Sequence, residues 1–507
     1  MRFVNAYQAF AVLRVVLVLL LSAVFAWLAA GRPLTPRFRA VVFALLAVAA
    51  LAYPNFGVFH PNHYRHIHYW DVYHYFMGAK YFPELGYSRL YEATYVAGRE
   101  LGAFGGVQAV RDLTTYRFRD PATIDAAAVR ERFTPERWQA FKRDLIVIAS
   151  RIKEWPGPLL DRGYNDPPPR ALLLHLLVRW VPATPVTLTV LTAIDYVLVL
   201  GALAAVWWAF GPIPAALAFA SLWLSFFARF DFIGGSLLRW DWIAALLVGV
   251  AALARGAGIT AGVCLAYAAL ARIFPILFLL PLAIKLLGRR SPPAGVLRTL
   301  GGATMVIVVV VGLLLAAGED RTSAREYLAK IRLHSQDVAA NSVGLGSLLA
   351  FHAAPWSLNP DGSVLVVDTA VAAAAPPPWL VRAVAAAYLL LAVPLIRRAA
   401  PVTSLMYAVP LVFWGLSPTG YYYSFLVLLV LLPWHGGLPD RVRLLEMALL
   451  TAVMAVVHAF EVVSADMIPL YYQASIALAV FFVLWLGFEY ARLAAPADAV
   501  TPSTRLR

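Results

Sequence analysis

Charge is scarce in this chain. Of its 507 residues, 14% are charged and 61% are hydrophobic. Mean hydropathy is +0.72. A water-soluble chain of this length could not hide so much apolar surface, so the class is a polytopic membrane protein. Cysteine is almost missing. Cys264 stands alone inside an apolar run, which excludes a disulfide framework. Acids are few, 28 against 42 Lys and Arg, for a net charge of +14. The excess does not point to nucleic acid, because the basic residues gather in short loops between apolar runs, the pattern of membrane insertion. The first apolar run lacks a small-residue cleavage site, so it is expected to stay as a helix. No repeat relates the two halves, which counts against a transporter built from paired repeats.

What is present is a long series of apolar runs. Helices are expected at 8–30, 39–54, 185–209, 212–229, 240–254, 258–271, 274–287, 296–317, 378–396, 401–416, 419–433, 441–461 and 468–492. That makes about 13 spans, several of them short. Arg32, Arg37 and Arg39 share one loop; Arg255, the pair Arg289 and Arg290, the pair Arg397 and Arg398, Arg441 with Arg443, and the tail arginines occupy others. With alternating sides all fall on one face, which is expected to be cytoplasmic. The fold class is therefore all-α and polytopic, with five regions. Residues 1–54 hold N-terminal helices, 55–184 an outer loop with a re-entrant half-helix, and 185–318 a transmembrane core. Residues 319–377 form another outer loop, and 378–507 the C-terminal helices and a cytoplasmic tail.

The outer face carries the chemistry. From His60 to Tyr91 the chain is polar and aromatic directly after an apolar run, and it holds five of the ten histidines. Asp71 sits there among Trp70, Tyr73 and Tyr75. It is suited to act as a general base for a hydroxyl at the water–lipid boundary, or as a helix-start cap. His60, His63, His66, His68 and His74 suggest a metal site only weakly, because no second cluster with ligand spacing is visible. Within 55–169, the stretch from Ala122 to Ile152 mixes apolar and basic positions at helical spacing and is expected along the membrane surface. The run after Pro167–Pro168–Pro169 is too short to span and reads as a half-helix beside a cavity.

Further on, the loop from Ala228 to Trp242 repeats Arg-x-Asp as Arg229/Asp231 and Arg239/Asp241. An ion-paired hairpin is one reading; Arg239 or Asp241 at the rim of the Asp71 cavity is the other. The loop holds no Asp-x-Asp metal pair. The stretch from Glu319 to Asp337 carries Arg321, Arg325, Lys330, Arg332 and His334. Arg321, Arg325 and Arg332 can share a helix face, which would hold a phosphate or rest on anionic headgroups. Arg272 interrupts an apolar segment, where a charge is costly and usually functional. Asp195 is buried in another and is expected to find an internal hydrogen bond. Tyr421, Tyr422 and Tyr423 follow Ser417 either as an interfacial aromatic belt or as a groove on which a sugar stacks.

Taken in order, these elements resemble the polyprenyl-phosphate-dependent glycosyltransferases of the GT-C architecture, most closely the mannosyltransferase-like glycosyltransferase family 87. The resembling elements are Asp71-x-Tyr73 with Gly78–Ala79, Gly86 and Leu90–Tyr91; Tyr164 with Pro167–Pro168; Arg272-x-x-Pro275 after Ala261–Gly262; Asn341–Ser342 with Gly344 or Gly346; and Ser417–Pro418. The chain departs from the pattern in four ways. It has Arg272 where lysine is usual, Gly420 and three tyrosines where Trp and His usually follow Ser-Pro, a histidine-rich approach to Asp71, and one additional helix at the front. The resemblance covers roughly residues 65–435.

The resemblance implies an inverting transferase that moves one sugar, mannose or a similar hexose or pentose, from a polyprenyl-phosphate donor to a lipid or glycan acceptor, with Asp71 as base. The donor phosphate is expected against Arg272, Arg321, Arg325, Lys330, Arg332 and His334. The substrate cavity is expected to be lined by His68, Tyr73, Lys80, Tyr91, Tyr164, Asn165, Arg239, Asp241, Asn341, Ser417, Tyr421 and Tyr422. Neither cofactor nor metal is expected, and the protein is expected as a monomer in the inner or plasma membrane, with its site outside. The alternatives are a transporter or flippase of lipid-linked sugars, and a ligase or polymerase of whole glycans.

Overall fold

The computed structural model describes residues 6–60, 66–103, 106–153, 155–287, 293–316, 321–336, 338–354, 357–358, 364–365, 374–463 and 467–494. The described chain is almost entirely helical. Its strands are two short antiparallel pairs, Val110–Arg111 with Phe118–Arg119 and Ser357–Leu358 with Val364–Leu365. Every apolar run expected to be helical is helical.

Length separates these runs into two kinds. Six helices are long and apolar enough to cross a bilayer: Gln8–Ala29, Pro185–Phe210, Ala294–Ala316, Pro378–Arg398, Arg441–Val463 and Met467–Ala494. Pro212–Leu224 and Phe226–Ile233, bent by 73° at the break, would make one more crossing. Pro36–Ala52, Pro168–Val178, Asp241–Ala254, Gly258–Ala271, Phe274–Ile284, Pro401–Gly415 and Gly420–Trp434 are shorter. Their interiors explain this. Residues 274–279, 405–407 and 420–426 wind as tighter 3-10 turns, and Pro275, Pro281 and Pro410 lack the amide that a continuing α-helix needs.

Two cores divide the molecule. The larger joins the long helices around residues such as Phe25, Phe219, Leu247, Phe413 and Phe482. Small residues let neighbours approach: a Cβ on Gly262 would collide with the backbone of Thr299, so Gly258–Ala271 and Ala294–Ala316 meet backbone to backbone. The second core belongs to the long loop and gathers Tyr73, Tyr81, Phe141, Leu145 and Leu174, together with Leu237, Leu238 and Tyr327 from later segments. The helix Pro135–Ala149 turns Trp138, Phe141, Leu145 and Ile148 into this core. The apolar face expected to lie on the membrane surface is therefore covered by the chain itself.

Asp241 opens one helix, and Arg272 follows the close of the next, joined to it by a short turn. Both therefore lie at the end of the bundle that carries the long loop. Asn341 to Val343 pairs with Pro418 to Gly420 at this same end: Val343 N donates to Pro418 O at 3.0 Å and Gly420 N to Asn341 O at 2.7 Å.

Candidate functional site

The segment around Asp71 is short-range in origin and long-range in position. A helix starts at Tyr69, with His68 as its cap: His68 Nδ1 accepts from Asp71 N at 3.1 Å. The capping role thus falls to His68, and the Asp71 carboxylate faces elsewhere. The helix widens into a π-turn over Tyr73–Met77, a distortion that often marks functional sites. The segment docks on the glycine pair of the short loop. His68 N donates to Gly235 O at 2.9 Å, and the His60 ring meets Gly234 O at 2.9 Å. Gly235 has φ +71°, and a Cβ there would strike His66 O, so glycine is required.

Across this joint, Arg239 Nε lies 3.0 Å from Asp71 Oδ2, the carboxylate being 14% exposed and the guanidinium 3%. The Arg-x-Asp repeats do not pair within their loop. Arg229 pairs with Glu461, Asp231 accepts from Asn55 at 3.0 Å, Arg239 holds Asp71, and Asp241 meets Arg170 at 3.1 Å. The ion-paired hairpin is corrected, because each side chain finds a deeper partner on another element.

Three arginines converge on Tyr75. The guanidinium carbons of Arg239, Arg170 and Arg272 lie 4.3, 5.7 and 5.9 Å from its ring centre. Asp166 binds both Arg170 and Arg272, the latter at 2.5 Å. Asp241 also accepts from Tyr267 at 3.0 Å. Tyr421 faces Arg239 at 4.9 Å, and Tyr422 faces Arg272 at 5.8 Å. Three carboxylates thus meet three guanidinium groups, yet the pairing is incomplete. Arg272 Nε and Nη2, Arg239 Nη1 and the Tyr164 hydroxyl are buried without a hydrogen-bond partner. Unpaired buried donors are costly, and donors gathered beside a carboxylate are suited to bind an anion.

Sequence reasoning missed four members of this cluster: Tyr75, Asp166, Arg170 and Tyr267. Asp166 and Arg170 stand four residues apart across a proline run, and a buried arginine on an 11-residue apolar helix was the available signal. Tyr327 was missed too. It projects from Arg321–Gln336 to meet the Tyr87 ring, tilted at 46°, with centres 5.5 Å apart, and its phenol senses Asp166 and Arg272.

Other expected residues serve as struts. Lys80 is buried against Asp144 at 2.6 Å and Val181 O at 2.6 Å, fixing the loop to the start of Pro185–Phe210. Tyr73 shares a 2.7 Å bond with Thr94, and Tyr91 meets His74 at 2.8 Å while accepting from Gly163 N at 2.8 Å. Ser417 accepts from Ser347 N at 3.1 Å and holds the tyrosine turn. Lys80, Tyr73, Tyr91 and Ser417, expected to line the cavity, thus bond within the protein. Asn165, half-buried, follows Tyr164, whose ring lies against Gly78. Asn341 contributes its backbone carbonyl to Gly420.

The expected phosphate helix shows its other face. Arg325 and Arg332 are exposed, whereas Tyr327 and Lys330 are buried. Lys330 Nζ donates to Tyr87 O at 2.7 Å, and burial pushes its pKa down to about 7. His334 lies 3.4 Å from the Tyr116 hydroxyl. A helix advances 100° per residue, so positions 327, 330 and 334 face away from 325 and 332. The side chain of Arg321 lies outside the described residues.

Among the described residues, no group of three or more His, Cys, Asp or Glu has ligand geometry, and His63 lies outside them. Burial pushes His60 down to about 3 and lowers His68 and His74, so these rings are neutral packing groups. The Arg170 cluster packs beside Pro168–Val178, where a cavity was expected. A cavity of about 220 Å³ lies behind the glycine loop, lined by Tyr53, Asp195, Tyr196, Trp223, Gly235 and Trp240. Asp195 accepts from Arg239 N at 2.8 Å and Trp240 N at 3.2 Å, the internal hydrogen bonds expected of it. No family model, no curated protein and no solved structure matches the chain.

Proposed function

We propose that this protein is a membrane glycosyltransferase that moves one sugar from a polyprenyl-phosphate donor to a lipid or glycan acceptor. The observation that carries the reading is one arrangement: a partly exposed carboxylate, Asp71, held by Arg239, with the spare donors of Arg239 and Arg272 gathered on the Tyr75 ring. A base next to an anion cradle is what a displacement at a sugar phosphate needs. The acceptor and the donor head group would enter where Asp71 is accessible, with Tyr421 and Tyr422 as aromatic faces for the sugar. The GT-C architecture, mannose as the sugar, and an outward-facing site in the inner or plasma membrane belong to this proposal.

Arg239 holds Asp71 Oδ2, which leaves Oδ1 to face an acceptor hydroxyl. As that oxygen attacks the anomeric carbon, its proton passes to Asp71. The new carbon–oxygen bond forms while the bond from the anomeric carbon to the phosphate oxygen breaks on the opposite face. The bonding pair leaves with the phosphate, and configuration inverts. Arg272 and Arg239 would receive the growing charge through their spare N–H groups; fixed donors of this kind stabilise the transition state more than the ground state. The phosphate is a stable anion, so the displacement needs no general acid.

The test is transfer of labelled sugar from a polyprenyl-phosphate sugar by the purified protein in detergent. Transfer by the wild type and its loss in Asp71→Asn support the reading; full activity in Asp71→Asn removes the base assignment. A second reading, transport of a lipid-linked sugar, has one observation in its favour: the 73° break after Leu224, since broken helices are frequent in transporters. Movement of lipid-linked sugar across proteoliposomes without any transfer would favour it.

A further inference from the structure

Asp195 has a peculiar place. It lies inside the apolar helix Pro185–Phe210, at 4% exposure, where a carboxylate is costly unless something is gained. Its partners are backbone amides of another element. Oδ2 accepts from Arg239 N at 2.8 Å, and Oδ1 accepts from Trp240 N at 3.2 Å. These two residues stand immediately before Asp241, the first residue of the helix Asp241–Ala254. The carboxylate therefore clamps the start of that helix with both oxygens.

The clamped residues are the ones that build the site. Arg239 reaches Asp71 with its side chain, and Asp241 reaches Arg170 and Tyr267. Packing on one side of this loop is incomplete. Behind it is the cavity of about 220 Å³, lined by Asp195 itself, Gly235 and Trp240. The loop's first half is fixed at Gly234 and Gly235, by the His60 ring and by His68 N. Asp195 supplies the matching hold on its second half, at Arg239 and Trp240.

We infer that Asp195 is a positioning residue, which sets the Arg239–Asp71 pair by fixing the two backbone amides on which the Arg239 side chain is carried. This rests on the proposed transferase reading for its catalytic consequence, but not for its structural one. Asp195 touches no substrate in this scheme. It acts from the far side of the loop, through the backbone, so that the Asp71 oxygen left for the acceptor keeps its place.

The test uses the full chain in lipid nanodiscs and two variants, Asp195→Ala and Asp195→Asn. The second keeps the shape and one accepting oxygen, and it serves if the first does not fold. Hydrogen exchange is followed in peptides covering 235–241, with 258–271 as reference. Transfer from the polyprenyl-phosphate sugar is measured in parallel. The expected result is faster exchange in 235–241 alone, with kcat lowered about 100-fold in Asp195→Ala, less in Asp195→Asn, and KM for the donor unchanged. In an Arg239→Ala background, Asp195→Ala should cost little more. Unchanged exchange in 235–241, or acceleration spread equally over both peptides, overturns the inference. Faster exchange in 235–241 from a wild type that transfers no sugar supports the positioning role and overturns the transferase reading instead.

Discussion

Two buried charge networks occupy opposite ends of the helix bundle, and they are built on opposite principles. At one end, Arg443 pairs with Glu489 at 2.6 Å and lies 3.6 Å from Glu446, and Arg492 meets Asp440 at 2.6 Å and Glu489 at 3.4 Å. The Tyr407 hydroxyl donates to Glu489 at 2.7 Å. Its carboxylate oxygen without a partner is Glu446 Oε1, and each guanidinium is engaged. At the loop end the orphan atoms include Asp241 Oδ1 and also guanidinium nitrogens of Arg239 and Arg272, near an Asp71 that solvent can reach. The first network closes on itself and ties Arg441–Val463 to Met467–Ala494. The second keeps donors in reserve for an anion. Burial of charge alone does not mark a site; the sign and direction of what is left over does.

The largest expected effect breaks this contrast at its working end. Asp71→Asn should lower sugar transfer about 100- to 10,000-fold, the usual contribution of a general base, with a fall in thermal stability beside it because buried Arg239 loses its carboxylate. Initial rates at saturating donor check it. Arg272→Met comes next. It removes spare donors from the cradle and should lower kcat about 100-fold or more. It also leaves Asp166 with Arg170 as its remaining cation, so a fall in melting temperature should accompany the loss.

The closed network should respond in the other currency. Glu489→Gln takes the charge from the partner shared by Arg443 and Arg492 and is expected to cost about 3 kcal/mol of stability, as removal of one member of a buried pair does. Transfer per folded molecule should stay within twofold. Thermal unfolding beside activity normalised to monodisperse protein separates the two; a selective loss of kcat in Glu489→Gln would abolish the contrast between the ends.

Much of this was legible in the sequence, for physical reasons that also show where legibility ends. Asp71 and Arg272 stand out because a charge amid aromatic or apolar neighbours must have a partner. What the sequence does not carry is which partner. Asp166 and Arg272 are 106 positions apart, and nothing local links them. Apolar runs locate helices well, but not how long each helix continues, because Pro275, Pro281 and Pro410 fall inside runs whose hydropathy is unbroken. The histidines drew attention to metal. His68 caps one turn and His60 docks on Gly234, and the need for Gly235 appears only when the two segments touch.

The helix Arg321–Gln336 carries the same comparison at small scale, since one face is buried and the other is in solvent. Spacing says which residues share a face but not which face is covered. Lys330, on the buried face, has its pKa lowered from 10.5 to about 7, chiefly by desolvation. The folded state therefore binds this proton less tightly than the unfolded chain. Stability is gained as pH rises from about 7 toward 10.5 and is flat with pH below that window. The melting temperature of wild type minus that of Lys330→Met should climb across this range, which cancels groups common to both. A flat difference would mean that Lys330 is charged and paired where it sits. On the other face, the double variant Arg325→Ala with Arg332→Ala should change transfer less than twofold, because exposed cations are screened by water and salt. A loss as large as that of Arg272→Met would mean that this helix turns its arginines inward when donor binds, and the phosphate cradle would then include both of its faces.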